Sequence, residues 1–289
     1  MKVLIIGKSG QLASELIDTK PNRIEVLALG RENIEIESIN SISEQIAKFN
    51  PSVVVNASAY TAVDKAETDS DAAYAINFSA VENIAKVCKS NNIRLIHVST
   101  DFVFDGKKNS AYKTSDKTHP ISVYGASKLA GEKAIFENHP EDSAIVRTSW
   151  LYSGYGNNFV KTMLRLMAAK DSLNVVADQV GCPTYAKELA CFIWKLTSQE
   201  VIKPLYNWSD LGVASWYDFA VAIQDIAIEC DILNKKIPIK AISSQEYPTP
   251  AKRPQFSLLD STESYQIYPA NHWREQLKIM MSNTKEFLL

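Results

Sequence analysis

The sequence predicts an α/β fold, in which an open, doubly wound parallel sheet is followed by a smaller α/β region. Two observations support this fold class. Short apolar, β-branched runs alternate with amphipathic stretches through the first half of the chain, and these apolar runs are continuous. Continuous apolar strands separated by helices are typical of a parallel sheet covered on both faces. Such a sheet binds ligands beyond the carboxyl ends of its strands.

Each element of the first half follows from its own residues. The predicted strands are Val3–Ile6, Glu25–Leu29, Val53–Asn56, Arg94–Ser99 and Ala144–Arg147. The predicted helices are Gln11–Ile17, Ile42–Phe49, Ala72–Cys88 and a helix that contains Tyr124. Asn50-Pro51 closes the second helix, because the residue before a proline disfavours helical backbone. Apolar residues recur at a near-helical period along the third helix.

After about residue 150 the pattern is looser. We predict helices at Phe159–Ala168, Lys187–Leu196, Trp216–Cys230 and Trp273–Phe287. Short strands are predicted at Leu173–Val176 and Leu205–Trp208. Four prolines between Ile237 and Pro254 predict a long, mostly irregular connection, which is often functional. We expect residues 1–150 to form a nucleotide-binding domain, to which some later segments return. Residues 151–289 are expected to form mainly a substrate domain.

Composition and charge exclude several classes of protein. Of 289 residues, 46% are hydrophobic and 22% charged, and the net charge of −2 gives no general attraction to nucleic acid or an anionic membrane. No apolar run approaches the roughly 20 residues of a membrane span. The run Val3–Ile6 is too short for a signal peptide, and the four scattered cysteines favour reduced thiols. We therefore expect a cytoplasmic protein without nucleic-acid or membrane partners.

A glycine-containing loop, GKSGQLA, directly follows the first predicted strand and opens the first helix. Gly7 permits a tight turn, and Gly10 lets backbone amides approach a pyrophosphate at the helix N-terminus. Ala13 stands where such loops often have a third glycine, and it is small enough for close packing. An ordinary strand-to-helix turn is the alternative. The position of the loop in a βαβ pattern favours nucleotide binding.

The tips of the next strands carry further polar residues. Arg31, after the second strand, can pair with a 2′-phosphate and so favours NADPH over NADH, although a solvated surface arginine is nearly as good an interpretation. After the third strand, Glu67 is interpreted as a helix cap, whereas local bonding and substrate contact are equally supported for Asp64. Thr100 ends the fourth strand, where its hydroxyl can bond a carbonyl group near Tyr124.

Tyr124 and Lys128 lie four residues apart at the start of a predicted helix. Residues i and i+4 share one helix face, so a phenol and an ammonium point into the same space. A nearby cation favours the phenolate and lowers the pKa of the phenol. The pair suits a proton donor with a cation beside it, although the spacing alone is a weak signal.

Seven runs between residues 2 and 254 carry a resemblance to a known family. They are GKSGQLA, VVVNASAYTAVDKAE, VSTDFVFDG, VYGASKLAGEKA, RTSWLYSGYGNNFVKTMLRL, DQVGCPT and YPTPAKRP. In this order they resemble the dTDP-4-dehydrorhamnose reductase family of extended short-chain dehydrogenases/reductases. The resemblance implies a Rossmann-type NAD(P)-binding domain and a sugar-nucleotide domain. It also implies NADPH- or NADH-dependent reduction of the 4-keto group of dTDP-4-dehydro-6-deoxy-L-mannose to dTDP-L-rhamnose.

The resemblance also implies the residues of the site. The catalytic residues are expected to be Thr100, Tyr124 and Lys128. The sugar contacts are expected to be Thr100, Asp101, Tyr124 and Trp150, with a core role equally supported for Trp150. The cofactor contacts that the resemblance implies are Gly10, Gln11, Leu12, Glu35, Ile36, Ala59, Tyr60, Thr61, Tyr124 and Lys128. Gly7 and Arg31 are added to them from the loop and strand-tip arguments above.

The chain departs from the family pattern at several positions. Phe102 stands where many members have tyrosine, so a related nucleotide 4-keto-6-deoxy sugar is an alternative substrate. Gly30 replaces an aspartate that some members use for the ribose, which puts strict NADH use in doubt. The three glutamates that bind magnesium at the dimer interface of some members correspond to Glu15, Lys187 and Asn283, so we predict no metal and no metal-linked oligomer. A non-catalytic regulatory subunit is the third alternative, although no catalytic residue is lost.

Overall fold

The computed structural model describes residues 1–283 and has an α/β architecture around a six-stranded sheet. The strands of this sheet are β1 (Lys2–Ile6), β2 (Glu25–Leu29), β3 (Val53–Asn56), β4 (Arg94–Thr100), β5 (Ser143–Thr148) and β10 (Leu205–Asn207). The remaining strands form two-stranded pairs and are β6 (Leu151–Tyr152), β7 (Leu173–Val176), β8 (Val180–Gly181), β9 (Thr184–Tyr185), β11 (Ala214–Ser215) and β12 (Ile239–Ile242).

Helices connect most of these strands. They are α1 (Gln11–Asp18), α2 (Ile39–Phe49), α3 (Val63–Ala66), α4 (Ser70–Tyr74), α5 (Ala80–Ser90), α6 (Val123–Asn138), α7 (Phe159–Ala169), α8 (Ala186–Thr197), α9 (Trp216–Glu229), α10 (Thr262–Tyr265) and α11 (Trp273–Asn283). A π-helical turn, Ala75–Ser79, joins α4 to α5, and 3₁₀ turns lie at Asp101–Val103 and Ser244–Glu246. No helix within residues 1–283 is long and apolar enough to cross a membrane.

The main sheet is parallel throughout, in the order β10-β5-β4-β3-β1-β2. Alternate residues of β1 belong to different apolar clusters: Val3 and Ile5 pack with α1 and α8, whereas Leu4 and Ile6 pack with α2 and α5. Side chains alternate across a strand, so the sheet is covered on both faces. The predicted fold class is confirmed.

A third apolar cluster lies in the second half of the chain. It is built from α7, α9 and α11 together with the parallel pair β7 and β12. β10 also comes from the second half, but it pairs with β5 and extends the main sheet. The division of the chain near residue 150 stays a prediction.

Three predicted elements differ in the structure. The segment from Ile237 to Pro254 is mostly irregular, as predicted, but it contains an unpredicted strand: Ile239–Ile242 forms β12 against β7, and a 3₁₀ turn follows it. The helix predicted at Ala72–Cys88 is divided by the π-helical turn into α4 and α5. The helix predicted at Trp273–Phe287 is seen as far as Asn283, and its remainder lies outside the described residues.

Candidate active site

The glycine loop after β1 packs closely against the carboxyl end of β3. Gly7 has a φ of +106°, and a Cβ there would lie 2.8 Å from Ser58 N. Gly10 caps the N-terminus of α1, which Gln11 and Leu12 open. The space between this loop and β3 is too small for a side chain at Gly7, and the loop leads into the N-terminus of α1. The loop therefore fits the pyrophosphate of a dinucleotide.

The predicted ribose contacts lie beyond β2. Arg31 and Glu35 are exposed, whereas Ile36 is half-buried and packs on the cluster beneath α2. The carboxylate of Glu32 covers Gly30 and lies 3.9 Å from Lys8 Nζ. An exposed arginine at this strand end is accessible to a 2′-phosphate.

The segment after β3 is held by a residue that the sequence did not single out. The Asn77 side chain, in the π-helical turn, accepts from Tyr60 N at 2.9 Å and donates to Tyr60 O at 3.1 Å and to Ser127 Oγ at 3.0 Å. Ala59 and Tyr60 are half-buried, and Thr61 is exposed. Asn77 therefore joins a predicted cofactor segment to α6. The one sequence signal for Asn77 was its polar side chain inside the amphipathic helix predicted at Ala72–Cys88.

Two side chains fix the start of α6. Ser122 Oγ accepts from Gly125 N at 3.2 Å, and Glu67 Oε1 accepts from Val123 N at 2.9 Å. These bonds satisfy amide groups that the first helical turn leaves unpaired. Glu67 is a helix cap, as predicted, but the helix is α6, far along the chain. Tyr124 is thereby held in the first turn of α6.

Tyr124 lies beside the tip of β4. The Thr100 hydroxyl is close enough to its phenol to lower the pKa, but burial is the larger effect and raises the pKa of Tyr124 to about 12. The ring of Phe102 meets the Tyr124 ring edge-on, with centroids 5.5 Å apart. Tyr124 is therefore protonated at neutral pH and can act as a proton donor, with Thr100 next to it.

Lys128 lies one turn further along α6 and is 2% exposed. Its Nζ donates to Val98 O at 2.6 Å and lies 3.3 Å from His97 Nε2. Burial lowers the pKa of Lys128 to about 8, while the Glu132 carboxylate raises it. The predicted lowering of the Tyr124 pKa by Lys128 is not seen in this structure, because the Nζ group is bound to β4; the charge that acts on Tyr124 is that of Asp101.

The two other predicted sugar contacts differ in accessibility, since Asp101 is more deeply buried than Thr100 and Trp150 is less so. Asp101 is 2% exposed and accepts from Thr100 Oγ1 at 3.1 Å; burial raises its pKa to about 6, against the lowering effect of Ser257 and Thr100. Trp150 has a φ of +48° and stacks on Trp216, with centroids 3.6 Å apart. This stacking supports the core role of Trp150, which stays half-buried.

Asp64 has a partner distant in sequence. It forms an ion pair with Arg253, in which Nη2 lies 2.7 Å from Oδ2, and it accepts from Ala251 N at 3.2 Å. The structure thus gives Asp64 a structural bond, but to a loop distant along the chain and not to local residues, and a substrate contact stays a prediction. The pair joins the segment after β3 to the proline-rich connection.

A buried ion pair supports α6 from below. The Glu132 carboxylate accepts hydrogen bonds from Arg147 Nε at 2.9 Å, from Arg147 Nη2 at 2.6 Å and from Ser99 Oγ at 2.6 Å. The pair connects α6 to β5 and, through Ser99, to β4. Glu132 lies four residues after Lys128, and Arg147 is a charge in an apolar strand. Both were signals that the sequence offered.

The positions compared with the family's metal ligands form no metal site. Glu15 is buried and accepts from Ser153 Oγ at 2.7 Å, and burial raises its pKa, while the Lys187 ammonium lowers it. Asn283 lies in α11. Residues 1–283 contain no cluster of three or more His, Cys, Asp or Glu side chains that could hold a metal ion.

Comparison of the sequence with known proteins shows the family to which this chain belongs. The sequence profile described as "RmlD substrate binding domain" matches residues 1–286. The dTDP-4-dehydrorhamnose reductase of Aggregatibacter actinomycetemcomitans is 41% identical over 96% of this chain and 97% of its own length. The chain belongs to the dTDP-4-dehydrorhamnose reductase family. The reductase of Salmonella typhimurium is 39% identical and covers 92% of this chain, over 91% of its own length.

Solved structures of this family have the same fold. The Clostridium acetobutylicum reductase superposes with a TM-score of 0.92 and 35% identity, over 99% of this chain and 100% of that one. The Bacillus anthracis reductase, solved in complex with NADP, has a TM-score of 0.90 and 34% identity, over 96% and 98% of the two chains. The Thermus thermophilus UDP-glucose 4-epimerase has a TM-score of 0.79 at 17% identity, over 99% of each chain, and shows the fold alone. The predicted family is confirmed.

Proposed function

We propose that this protein reduces the 4-keto group of dTDP-4-dehydro-6-deoxy-L-mannose to give dTDP-L-rhamnose, with NADPH as the reductant. The observation that carries the proposal is the half-buried, protonated Tyr124 next to Thr100 at the carboxyl end of β4. Relatives named dTDP-4-dehydrorhamnose reductase support the substrate. Thymidine as the base rests on these relatives alone.

The residues of the site divide the reaction between them. The bound nicotinamide supplies the hydride that reduces the C4 carbonyl. Tyr124 gives its proton to the developing alkoxide, and Thr100 orients the carbonyl oxygen by hydrogen bonding. A Lys128 ammonium turned toward Tyr124 stabilises the phenolate that remains. Gly7, Gly10 and the N-terminus of α1 hold the pyrophosphate of the cofactor. The substrate itself would lie over the carboxyl ends of β4 and β5.

The proposed preference for NADPH rests on Arg31. This guanidinium is exposed beyond β2, and an arginine can pair with a 2′-phosphate in two parallel hydrogen bonds. The Bacillus anthracis relative was solved in complex with NADP, which supports the same preference. A kinetic comparison of NADPH and NADH with the keto sugar tests it. A higher kcat/KM with NADH would contradict the proposal.

A related sugar is the second candidate substrate, because Phe102 lies beside Tyr124 and brings no hydroxyl to the site. Comparing several nucleotide 4-keto-6-deoxy sugars in one assay separates the two substrates. The intact Thr100, Tyr124 and Lys128 argue against a purely regulatory protein. Copurification with a larger enzyme, together with a lack of reductase activity, would support the regulatory role instead.

The test of the main proposal is direct. Purified protein is given the keto sugar and NADPH, and the loss of nicotinamide absorbance is followed. We expect turnover by the wild type and a loss of about 10²-fold or more in Tyr124→Phe, since general acid catalysis contributes at least this much. Absence of turnover in the wild type, or equal turnover in Tyr124→Phe, would contradict the proposal.

We also propose that the protein acts in the cytoplasm. Its cysteines Cys88, Cys182, Cys191 and Cys230 are free in the structure, which fits a reducing compartment. The small-molecule sugar nucleotide is its proposed partner, with neither nucleic acid nor membrane bound. Any oligomer that it forms is proposed to assemble without a bridging metal.

A further inference from the structure

His97 lies within β4 between two polar side chains, and the proposed reaction gives it no role. Its Nδ1 is 3.1 Å from Asn56 Nδ2, and its Nε2 is 3.3 Å from Lys128 Nζ. The side chain is 0% exposed, and burial holds the pKa of His97 well below its ordinary value. The ring is therefore neutral, so one nitrogen donates and the other accepts.

The orientation of Asn56 decides which nitrogen accepts. Asn56 Oδ1 accepts from the backbone N–H of Ser58 at 3.1 Å and from the Ser58 hydroxyl at 2.6 Å. A backbone N–H can only donate, so the amide oxygen must lie on this side and the NH₂ group must face His97. Nδ1 of His97 is therefore the acceptor, and the proton is on Nε2.

The Nε2–H group points at Lys128. Lys128 Nζ also donates to Val98 O at 2.6 Å. A neutral amine satisfies both contacts, because it donates to the carbonyl and its lone pair accepts from Nε2–H. An ammonium has no lone pair, so an N–H of Lys128 would face the N–H of His97. Burial lowers the pKa of Lys128 to about 8, at which the ammonium still predominates at neutral pH, so the opposed N–H of His97 must favour the amine further.

We propose that His97 is a positioning residue, which Asn56 holds in the Nε2–H tautomer and which binds Lys128 as a neutral amine against β4. The inference rests on the proposed function, since that reaction needs Lys128 beside Tyr124 as a cation. When the side chain turns from His97 toward Tyr124, its hydrogen bonds to His97 and Val98 break and its lone pair becomes free. The amine then takes one proton from a hydronium ion, so that one N–H bond forms, one O–H bond breaks and water is left.

The other polar and titratable groups around Lys128 also bear on whether it is charged. Glu132, on the same helix, favours the ammonium, but its carboxylate is bound by Arg147 from β5. Tyr124 on α6 is protonated at neutral pH, and the Asp101 carboxyl lies at the tip of β4 next to it. From β3 and the π-helical turn, the amides of Asn56 and Asn77 are uncharged.

The first experiment reads the tautomer in the ligand-free wild type. The chain has four histidines, so ¹⁵N-histidine labelling gives a simple spectrum in which His97 is assigned by its loss in His97→Asn. We expect long-range ¹H–¹⁵N correlation at neutral pH to show a protonated Nε2 and an unprotonated Nδ1. A protonated Nδ1 would overturn the proposal. The measurement needs no substrate, so it stands even if the proposed reductase activity fails.

The second experiment exchanges the amide for a carboxylate. In Asn56→Asp, the side chain still accepts from Ser58, but it also accepts from His97 Nδ1–H, so Nε2 becomes an acceptor for the Lys128 ammonium. We expect the ring tautomer to switch and the alkaline limb of the kcat/KM profile to move up by about one pH unit. Asn83→Asp makes the same change on α5, where Asn83 donates to Glu37 O at 2.9 Å, and should move neither readout.

The two experiments together separate the proposed role of His97 from the proposed reductase activity. An Asn56→Asp protein that keeps the Nε2–H tautomer, or whose pH profile is that of the wild type, would overturn the proposal. If this variant does not fold, the tautomer of the wild type decides. Loss of turnover in the wild type, with the Nε2–H tautomer present, would contradict the proposed function and leave the role of His97 in place.

Discussion

At the residue scale, three titratable side chains lie around the tip of β4: Asp101 and Lys128 are buried, and Tyr124 is half-buried. Burial disfavours the charged form of each, so it raises the pKa of the acids and lowers that of the amine. The phenol keeps its proton across the neutral range, as a donor must. The carboxyl group, in contrast, changes charge near a pH at which the enzyme can be assayed.

Asp101→Asn tests the effect of this carboxyl group on stability. Its folded pKa of about 6 lies above the ordinary 3.8, so the native state binds the proton more tightly than the unfolded chain. The resulting stabilisation is complete below pH 3.8 and is lost as the pH rises through about 6, by about 3 kcal/mol at most. We expect this pH dependence of the unfolding free energy, measured in denaturant at pH 5 and pH 8, to disappear in Asp101→Asn.

Asp171→Asn is the matched control, because the Asp171 side chain is 99% exposed. It should follow the wild type at both pH values. An Asp101→Asn protein that loses as much stability between pH 5 and pH 8 as the wild type would show that this carboxyl group does not carry the effect.

The sequence could propose candidate residues for the site but not the contacts that they make. Tyr124 and Lys128 share a helix face by spacing, and Thr100 ends a strand by its apolar pattern. Spacing does not show that Lys128 binds the carbonyl of Val98, or that Asn56 fixes the ring of His97. Those contacts depend on side chains from separate strands, and their partners are set by tertiary packing.

At the element scale, α6 is fixed at three levels. Glu67 and Ser122 cap its first turn, Asn77 binds its second through Ser127, and Glu132 binds β4 and β5 below. Gly131 allows this approach, because a Cβ there would lie 2.1 Å from Asn77 O. The helix therefore presents Tyr124 from a rigid support.

Glu132→Gln tests the lowest level of this support. The ion pair with Arg147 is almost fully buried, with side chains 1% and 4% exposed, so loss of the carboxylate leaves an uncompensated guanidinium. We expect a loss of about 3–5 kcal/mol in the free energy of unfolding, measured by chemical denaturation. Glu137→Gln, on an exposed face of the same helix, should cost less than about 0.5 kcal/mol. Equal stability of the two variants would contradict this account.

Gly7→Ala tests the close packing of the glycine loop after β1 against the end of β3. Its φ of +106° is strained for any side chain, and the new Cβ would meet the backbone of Ala57 and Ser58. We expect NADPH to bind roughly tenfold more weakly, by calorimetric titration. Gly10→Ala is the comparison, since a Cβ there meets only Gly7 O, at 3.3 Å, and should weaken binding less. The reverse order would contradict the predicted role of the loop.

Elements with strong local periodicity could be predicted, and elements stabilised by distant partners could not. The strands of the main sheet before β10 follow from continuous apolar runs. β12 has only four residues in a proline-rich stretch, and it forms because β7, far away in sequence, pairs with it. Asn77 in the π-helical turn bonds Tyr60, a contact that no local pattern encodes.

At the scale of the whole molecule, one segment of the second half crosses the predicted site. Ala251 and Arg253 bind Asp64, Pro254 packs against Gly106, and the hydroxyl of Ser257 bonds Asp101. Val180 also pairs with Phe256. The proline-rich connection is thus tied to the strand tips that the proposed substrate would cover.

Asp64→Asn is expected to loosen this segment. The Arg253 and Asp64 side chains are 25% and 42% exposed, so screening limits the loss of stability to about 1 kcal/mol. We expect a larger effect on function, a several-fold rise of KM for the sugar nucleotide at constant NADPH affinity. Asp225→Asn, which breaks the surface pair with Lys236, is the control. An unchanged KM in Asp64→Asn would show that the segment does not help to bind the sugar.

The order of the strands has a consequence for synthesis of the chain. β5 ends at Thr148, but β10, which covers its outer edge, ends only at Asn207. At roughly 5–20 residues per second, the ribosome needs several seconds to add the stretch between them. During that interval the nascent chain exposes an unpaired parallel edge, the kind of edge on which chains aggregate. The outer edge of β5 can therefore be covered only after much of the second half has been translated.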